Sequence, residues 1–425
     1  MDALTEESVV VKEEVGMTMM RPTPSENTSV YIRRMKMKHV AVKLLSVVAL
    51  LLGTCMWGTS GAQGATNTPG AVYAMTNEAT GNRVMVYNRA SNGKLTPGKT
   101  IATGGLGSGT FENSANGLIL SEQSPNNLNG SLRYVFATNA GSNSISVFAV
   151  DANTNGLKLR DVEPSNGDHP ISVTFRNNLV YVLNGGTTNC TGGTPTITGF
   201  TLSAKGQLTP IPGSTRPVSG GSNSGCAQVS FTPAGDVLVV TQRQADKIDT
   251  YLVDQGTGLT TGPIVNETTG NGPFGFTFTQ RGQLLTTENF GAAPLQGGAA
   301  SYEVPSDGVL VPVGPTTRNF RSDTCWIVNT DSGTYAYTTN FQSGDISSYR
   351  VESDGTLVLL NSTAAVIGVG ASDEALSINS SYLYARNALD GTIHPFIVQA
   401  DGSLTPLPVV GGLPPGGTAI GIAAK

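Results

Sequence analysis

The stretch "SGCAQVSFTPAGDVLVVTQ", residues 224–242, reads as a strand, a tight turn and a second strand that ends on a polar residue, Gln242. Valine-rich runs favour extended backbone, and "PAGD" between them supplies the freedom a reversal needs. A third strand, "KIDTYLV" at 247–253, follows after a short loop and carries an aromatic residue, Tyr251. If this is one copy of a repeated unit, the same order should recur along the chain.

It recurs seven times. The third strands read "RVMVYNR", "SISVFAV", "TITGFTL", "KIDTYLV", "AASYEV", "DISSYRV" and "TIHPFIV", with aromatics at Tyr87, Phe148, Phe200, Tyr251, Tyr302, Tyr349 and Phe396. A leucine follows each after a turn: Leu95, Leu157, Leu208, Leu259, Leu310, Leu357 and Leu404. The separation is eight residues in every unit except the second, where it is nine. Turns such as "SDGVL", "SDGTL" and "ADGSL" place Asp-Gly where a hairpin needs it. The second strands end on Asn77, Asn139, Asn184, Gln242, Glu288, Asn340 and Asn387, about 45 to 62 residues apart. That period, with four strands per unit, predicts an all-β, seven-bladed β-propeller in which the aromatic–leucine pairs lie between blades. The first unit lacks an inner strand, whereas "GTAIGIAAK" at 417–425 resembles an inner strand with no blade after it. The C-terminal strand is therefore expected to complete blade one and close the ring, which also removes two sheet edges.

Composition agrees. Of 425 residues, 53 are glycine, well above the average usage of about 7%, and only 13% are charged. Net charge is −5 with no basic run in the body of the chain, which argues against nucleic acid as a partner. Near the N-terminus, a basic start (Arg33 to Lys43), an apolar stretch from Leu44 to Trp57 and small residues before Ala65 form the pattern of a secretory signal. The apolar stretch is short for a membrane span. Residues 35–64 are read as the signal, cleaved after Ala62 or Gly64, with the start at Met35 or Met37 and residues 1–34 as a non-native or disordered extension. Lipid attachment at Cys55 is the weaker reading of the same stretch. Residues 65–425 are then one exported propeller, secreted or periplasmic, and read as a monomer that meets no membrane once the signal is removed. Two tripeptides, "NCT" at 189 and "NET" at 266, are glycosylation acceptors only in a eukaryotic secretory pathway.

Outside the signal, cysteines remain at 190, 226 and 325. Cys190 falls in the loop between second and third strands of blade three, and Cys226 opens the inner strand of blade four. Propeller topology puts both on one face of adjacent blades, so a Cys190–Cys226 disulfide is expected, with Cys325 free. There is no CxxC, and only His169 and His394 remain among histidines, so no zinc site and no cofactor is expected.

The run "FTPAGDVLVV", the segment "TNAGSNSISVFAV" at 138–150 and the recurring "DGxL" resemble the lactonase-like seven-bladed propellers. These include bacterial 6-phosphogluconolactonases and fungal carboxymuconate-lactonising enzymes. The resemblance implies hydrolysis of a lactone or similar cyclic ester by groups on inner strands of consecutive blades, facing one channel mouth. It also implies Gly-Cys-His at the opening of blade four, where this chain has Gly225-Cys226-Ala227. For blade five it implies Gly-Pro-Arg-His, where this chain has Gly272-Pro273-Phe274-Gly275, and Glu288 matches the carboxylate that ends the second strand. Lactone opening needs a base for water and positive charge for the oxyanion. Glu288 is the candidate base, with Arg243 or His169 as its cationic partner. Arg386, Asp323, Asp373 and Asn340 are candidates for holding a small-molecule substrate at the mouth. Each has a structural reading beside the chemical one: solvated loop charge for the arginines, a turn for His169, backbone capping for the aspartates, and a strand-end clamp for Glu288 and Asn340. The competing functional reading is a non-catalytic extracellular propeller that binds a carbohydrate, a metabolite or a protein. A hard-cation site on Asp323, Asp373 and Glu288 is a third.

Overall fold

A computed structural model of the chain describes residues 69–121, 133–416 and 421–425. The expected signal and N-terminal extension lie outside the described residues. The rest forms seven antiparallel sheets of four principal strands each. Blade four, the stretch quoted first, runs Cys226–Phe231, Val237–Gln242, Lys247–Val253 and Thr260–Glu267, from the channel outward. Blades three and five each split the outermost strand into two short pieces.

The ring closes as expected. Ile422–Ala424 pairs antiparallel with Gly70–Met75, matching Val72 with Ala424 and Ala74 with Ile422. The Lys425 amide donates to the Ala71 carbonyl at 2.8 Å, and Arg89 Nε donates to the Lys425 carbonyl at 2.9 Å. Each inner strand touches the next all the way round. Their backbone edges are satisfied partly by side chains: Gln228 both accepts from the Phe276 amide and donates to its carbonyl, at 2.9 and 2.7 Å. Unpaired backbone groups facing a channel would otherwise be costly.

The seven repeat aromatics are buried, six of them completely, in apolar layers between sheets. Tyr87 and Leu95 pack with Tyr382 and Tyr384 of blade seven, and Phe148 packs with Val84 and Val86 of blade one. Burying one such ring is worth about 1.5–3 kcal/mol, so the repeated aromatic is a main source of blade-to-blade cohesion.

The ends of the second strands are also fully or almost fully buried. Asn184 donates to the Ser165 carbonyl, Gln242 accepts from the Gly220 amide, and Asn387 donates to the carbonyls of Ile367 and Val369. Each thereby clamps the chain segment that crosses into its own blade. Asn340 does so through Asn319 and further bonds Asp345 and Ser347.

Candidate functional site

The channel has two ends, and they differ in chemistry. At the first face, where inner strands start, Ala115, Ala227, Phe274, Cys325 and Trp326 form a buried apolar cluster, with Phe111 and Phe341 packed on it. Phe274 and Trp326 meet edge-on with ring centroids 5.1 Å apart, and Phe111 and Phe341 lie 5.2 Å apart. The crossover from blade one to blade two, residues 103–117, is drawn across this end. The Ala115 amide donates to the Ala227 carbonyl at 3.1 Å, and Trp326 Nε1 donates to the Ser114 carbonyl at 3.1 Å. Ala227 and Phe274, which stand where the resemblance implies reactive side chains, are completely buried members of this plug.

Glu288, Arg243 and His169 are engaged with different partners. Glu288 is completely buried and accepts from the Gly270 amide at 2.9 Å, from the Thr269 hydroxyl at 3.3 Å and from the Thr316 hydroxyl. It holds the crossover into blade five, as asparagine and glutamine do in other blades, and through Thr316 the outer edge of its own blade. Burial raises its pKa, and those hydrogen bonds oppose the rise. This is the geometry of a strand-end clamp rather than of a base facing substrate.

His169 sits in left-handed backbone (φ 60°) with its Nε2 2.7 Å from Glu112 Oε1. Glu112 is completely buried, and its second oxygen accepts from the Asn189 amide at 3.2 Å. Asn189 Oδ1 in turn accepts from the Asn113 amide at 2.6 Å. The pair ties the crossover to the blade-three loop. That loop is also held by Cys190, which is disulfide-bonded to Cys226 with the Cα atoms 5.4 Å apart. Sequence reading missed Glu112. Its signal was available, because it is the only charged residue between Thr103 and Gly117.

Arg243 lies beside Asp323 and Cys325, and its Nε is buried without a hydrogen-bond partner. Asp323, also left-handed at φ 60°, accepts from the Cys325 thiol at 3.2 Å. Burial raises the Asp323 carboxyl, and burial beside Asp323 raises the Cys325 thiol, which makes it a poor nucleophile at neutral pH.

Asp373 and Arg386 lie behind the closing strand. Both are buried, and Arg386 Nη1 donates to the Gly421 carbonyl at 3.3 Å. Burial pushes Asp373 up to about 7 against the pull of Arg386, and lowers Arg386 to about 10. Next to them, the buried Glu374 carboxylate faces the Thr339 amide without completing a hydrogen bond, and burial together with Asp373 raises its pKa strongly. Asp323, Asp373 and Glu288 thus have separate surroundings. Among the described residues no group of three or more acidic, histidine or cysteine side chains is placed to hold a metal.

At the second face, where inner strands end, the channel opens into a cavity of about 750 Å³. Asn116, Thr174, Gln228, Ser230, Thr277 and Asn329 contribute to its wall, while Arg176 and Asp331 are its charged members. Uncharged hydrogen-bonding groups dominate the polar lining.

Comparisons with known proteins follow this architecture. A family model described as "Lactonase, 7-bladed beta-propeller" matches residues 68–192 and 194–290, together just over half of the chain. No curated protein matches the sequence. Among solved structures, the chain is similar to a protein from Bacteroides uniformis described as a candidate 6-phosphogluconolactonase, at 17% identity and TM-score 0.62. It is also similar to a Lactobacillus plantarum protein, at 17% identity and TM-score 0.60, and to the periplasmic gluconolactonase of Pseudomonas aeruginosa, at 15% identity and TM-score 0.61. Each alignment covers 83% of this chain and 98% of the other. At such identities the likeness speaks to fold alone.

Proposed function

Starting from the premise that this chain belongs to the lactonase family of seven-bladed β-propellers, we propose that it is an exported binding protein which holds a small polyhydroxylated molecule in its channel without hydrolysing it. The observation that carries this reading is the plug at the first face. A hydrolase of this architecture needs a base and a cation over an open mouth. Here Ala227 and Phe274 pack against Trp326 in that position, and Glu288 is spent on Gly270 and Thr316.

Binding is assigned to the second face because its cavity of about 750 Å³ lies in the usual ligand-pocket range of about 300–1,000 Å³ and pairs neutral donors and acceptors with apolar groups such as Phe231 and Phe276. Such a wall suits the hydroxyl groups and the apolar C–H faces of a polyhydroxylated molecule better than a charged ligand. Export is supported by the basic-then-apolar N-terminal pattern and by the Cys190–Cys226 disulfide, since such bonds persist in oxidising compartments. The Pseudomonas structure bears the word periplasmic in its own name, which agrees with that placement.

The test pairs turnover with binding. Purified protein is incubated with a panel of aldonolactones, and titrated calorimetrically with gluconate and methyl glucoside. The expectation is no turnover, with saturable binding that weakens when Thr277 and Ser230 are replaced by valine. Turnover that vanishes in Glu288→Gln would restore the hydrolase reading and defeat this one.

A further inference from the structure

The outer hairpin turns, between third and fourth strands, act as wedges between neighbouring blades. In six blades the turn carries a left-handed glycine: Gly93, Gly206, Gly258, Gly308, Gly355 and Gly402, with φ between 73° and 89°. All six are buried. Each sits so close to the preceding blade that an added Cβ would collide with it, Gly93 against Tyr382, Gly258 against Leu179 and Gly402 against Tyr335. A tyrosine hydroxyl of the preceding blade fixes three of these wedges: Tyr181 donates to the Gly258 carbonyl, Tyr337 to Gly402 and Tyr384 to Gly93.

Blade two puts a different residue in this place. Its turn, "DANTNG" at 151–156, has the length of the "DQGTGL" turn of blade four, with Val150 facing Leu157 as Val253 faces Thr260. Asn155 takes the left-handed conformation (φ 56°), and Tyr73 of blade one donates to the Asn155 carbonyl at 2.8 Å. Asn155 thus stands where Gly258 stands in blade four, and it is half-buried where that glycine is buried. Beside this turn a cavity of about 440 Å³ opens between blades one and two. Val86 and Ile101 of blade one and Leu157 of blade two give it an apolar floor, and Lys99 and Lys158 stand at its rim.

We propose that this cavity binds a small amphipathic monocarboxylate, with the hydrocarbon part between the blades and the carboxylate between Lys99 and Lys158. The apolar floor selects a hydrocarbon body. Both lysines are exposed, and neither has an ion-pair partner among the described residues. Asp151 also reaches the rim, but its Oδ1 is committed to the amides of Asn153 and Thr154 at 2.9 and 2.8 Å. Lys425 stands at the same turn, its Nζ donating to Asn155 Oδ1 at 2.7 Å and its charge acting on Asp151, so positive charge outweighs the one aspartate here on a chain whose net charge is −5. That balance suits an anion and disfavours cations. The site lies apart from the channel and stands whether or not the channel binds a polyol.

The test is calorimetric titration of the full chain with octanoate, with octanol and octylamine as uncharged and cationic counterparts. Octanoate is expected to bind saturably at one site and more tightly than either counterpart. The double change Lys99→Glu, Lys158→Glu, made on exposed side chains, should weaken it about tenfold or more. Three results would overturn the proposal: no saturable octanoate binding, octanol or octylamine binding as tightly as octanoate, or octanoate binding that the lysine reversals leave unchanged.

Discussion

The two ends of the channel are built from the same seven inner strands, yet one continues the core and the other admits solvent. At the first face, Phe274, Trp326, Phe111 and Phe341 pack into a plug beneath the blade-one to blade-two crossover. At the second face, Thr174, Ser230, Thr277 and Asn329 surround an open cavity. In a propeller, strand starts and strand ends are equally exposed by topology, so side chains and the crossovers drawn over them decide which mouth is open. A few substitutions at strand starts are enough to turn a mouth into a core. The family architecture persists through such a change because its cohesion comes from the layers between blades, where Tyr87, Phe148 and their counterparts lie.

The most severe way to break this comparison is to remove the plug. Trp326→Ala should cost about 3–5 kcal/mol in urea unfolding, the usual range for truncating a buried tryptophan. At the open end, Thr277→Ala should change stability by no more than about 0.5 kcal/mol. Equal costs at both ends would erase the distinction. A smaller effect concerns Glu288. Replacement by alanine leaves the Gly270 amide and Thr316 hydroxyl without their acceptor, a loss of about 1–3 kcal/mol, whereas Glu288→Gln retains an acceptor and should stay near the parent protein. Parent-like stability in Glu288→Ala would remove the clamp role.

A third effect is a pH dependence at the ring closure. Asp373 and Glu374 hold their protons to higher pH in the folded state than in the unfolded chain. The stability tied to those protons is complete below the unfolded carboxylate range. For Asp373 it is lost as pH rises from about 4 towards about 7, the value burial gives it. The thermal midpoint should therefore fall over that window. Glu374→Gln removes a second carboxyl that burial and Asp373 hold protonated, and should make the fall shallower. A midpoint that rises from pH 4 to 8 in the parent protein would contradict the assignment.

The repeat, the blade count and the closing strand were legible in the sequence because hairpin turns and buried aromatics recur in fixed register. The nearness of Cys190 and Cys226 followed from that register. What sequence left open was direction. Glu288 occupies the position that asparagine or glutamine fills in the other six blades, and that equivalence was itself a sign of the clamp the structure contains. Glu374 was overlooked beside Asp373 because strand alternation puts adjacent residues on opposite faces. A register irregularity between Ala371 and Glu374 interrupts that alternation, and both carboxylates end up buried. The ninth residue of the blade-two spacing was visible at once, but blade four shares that turn length, because Thr260 rather than Leu259 faces Val253 there.

The sealed first face can be tested most directly with Trp326, which becomes the sole tryptophan in a Trp57→Phe background. Its fluorescence is titrated with acrylamide and with iodide, with and without a lactone present. A closed plug predicts blue-shifted emission, little quenching by either agent and no response to the lactone. Red-shifted emission, ready quenching by iodide and protection on adding lactone would show an open, substrate-accessible mouth and contradict the account.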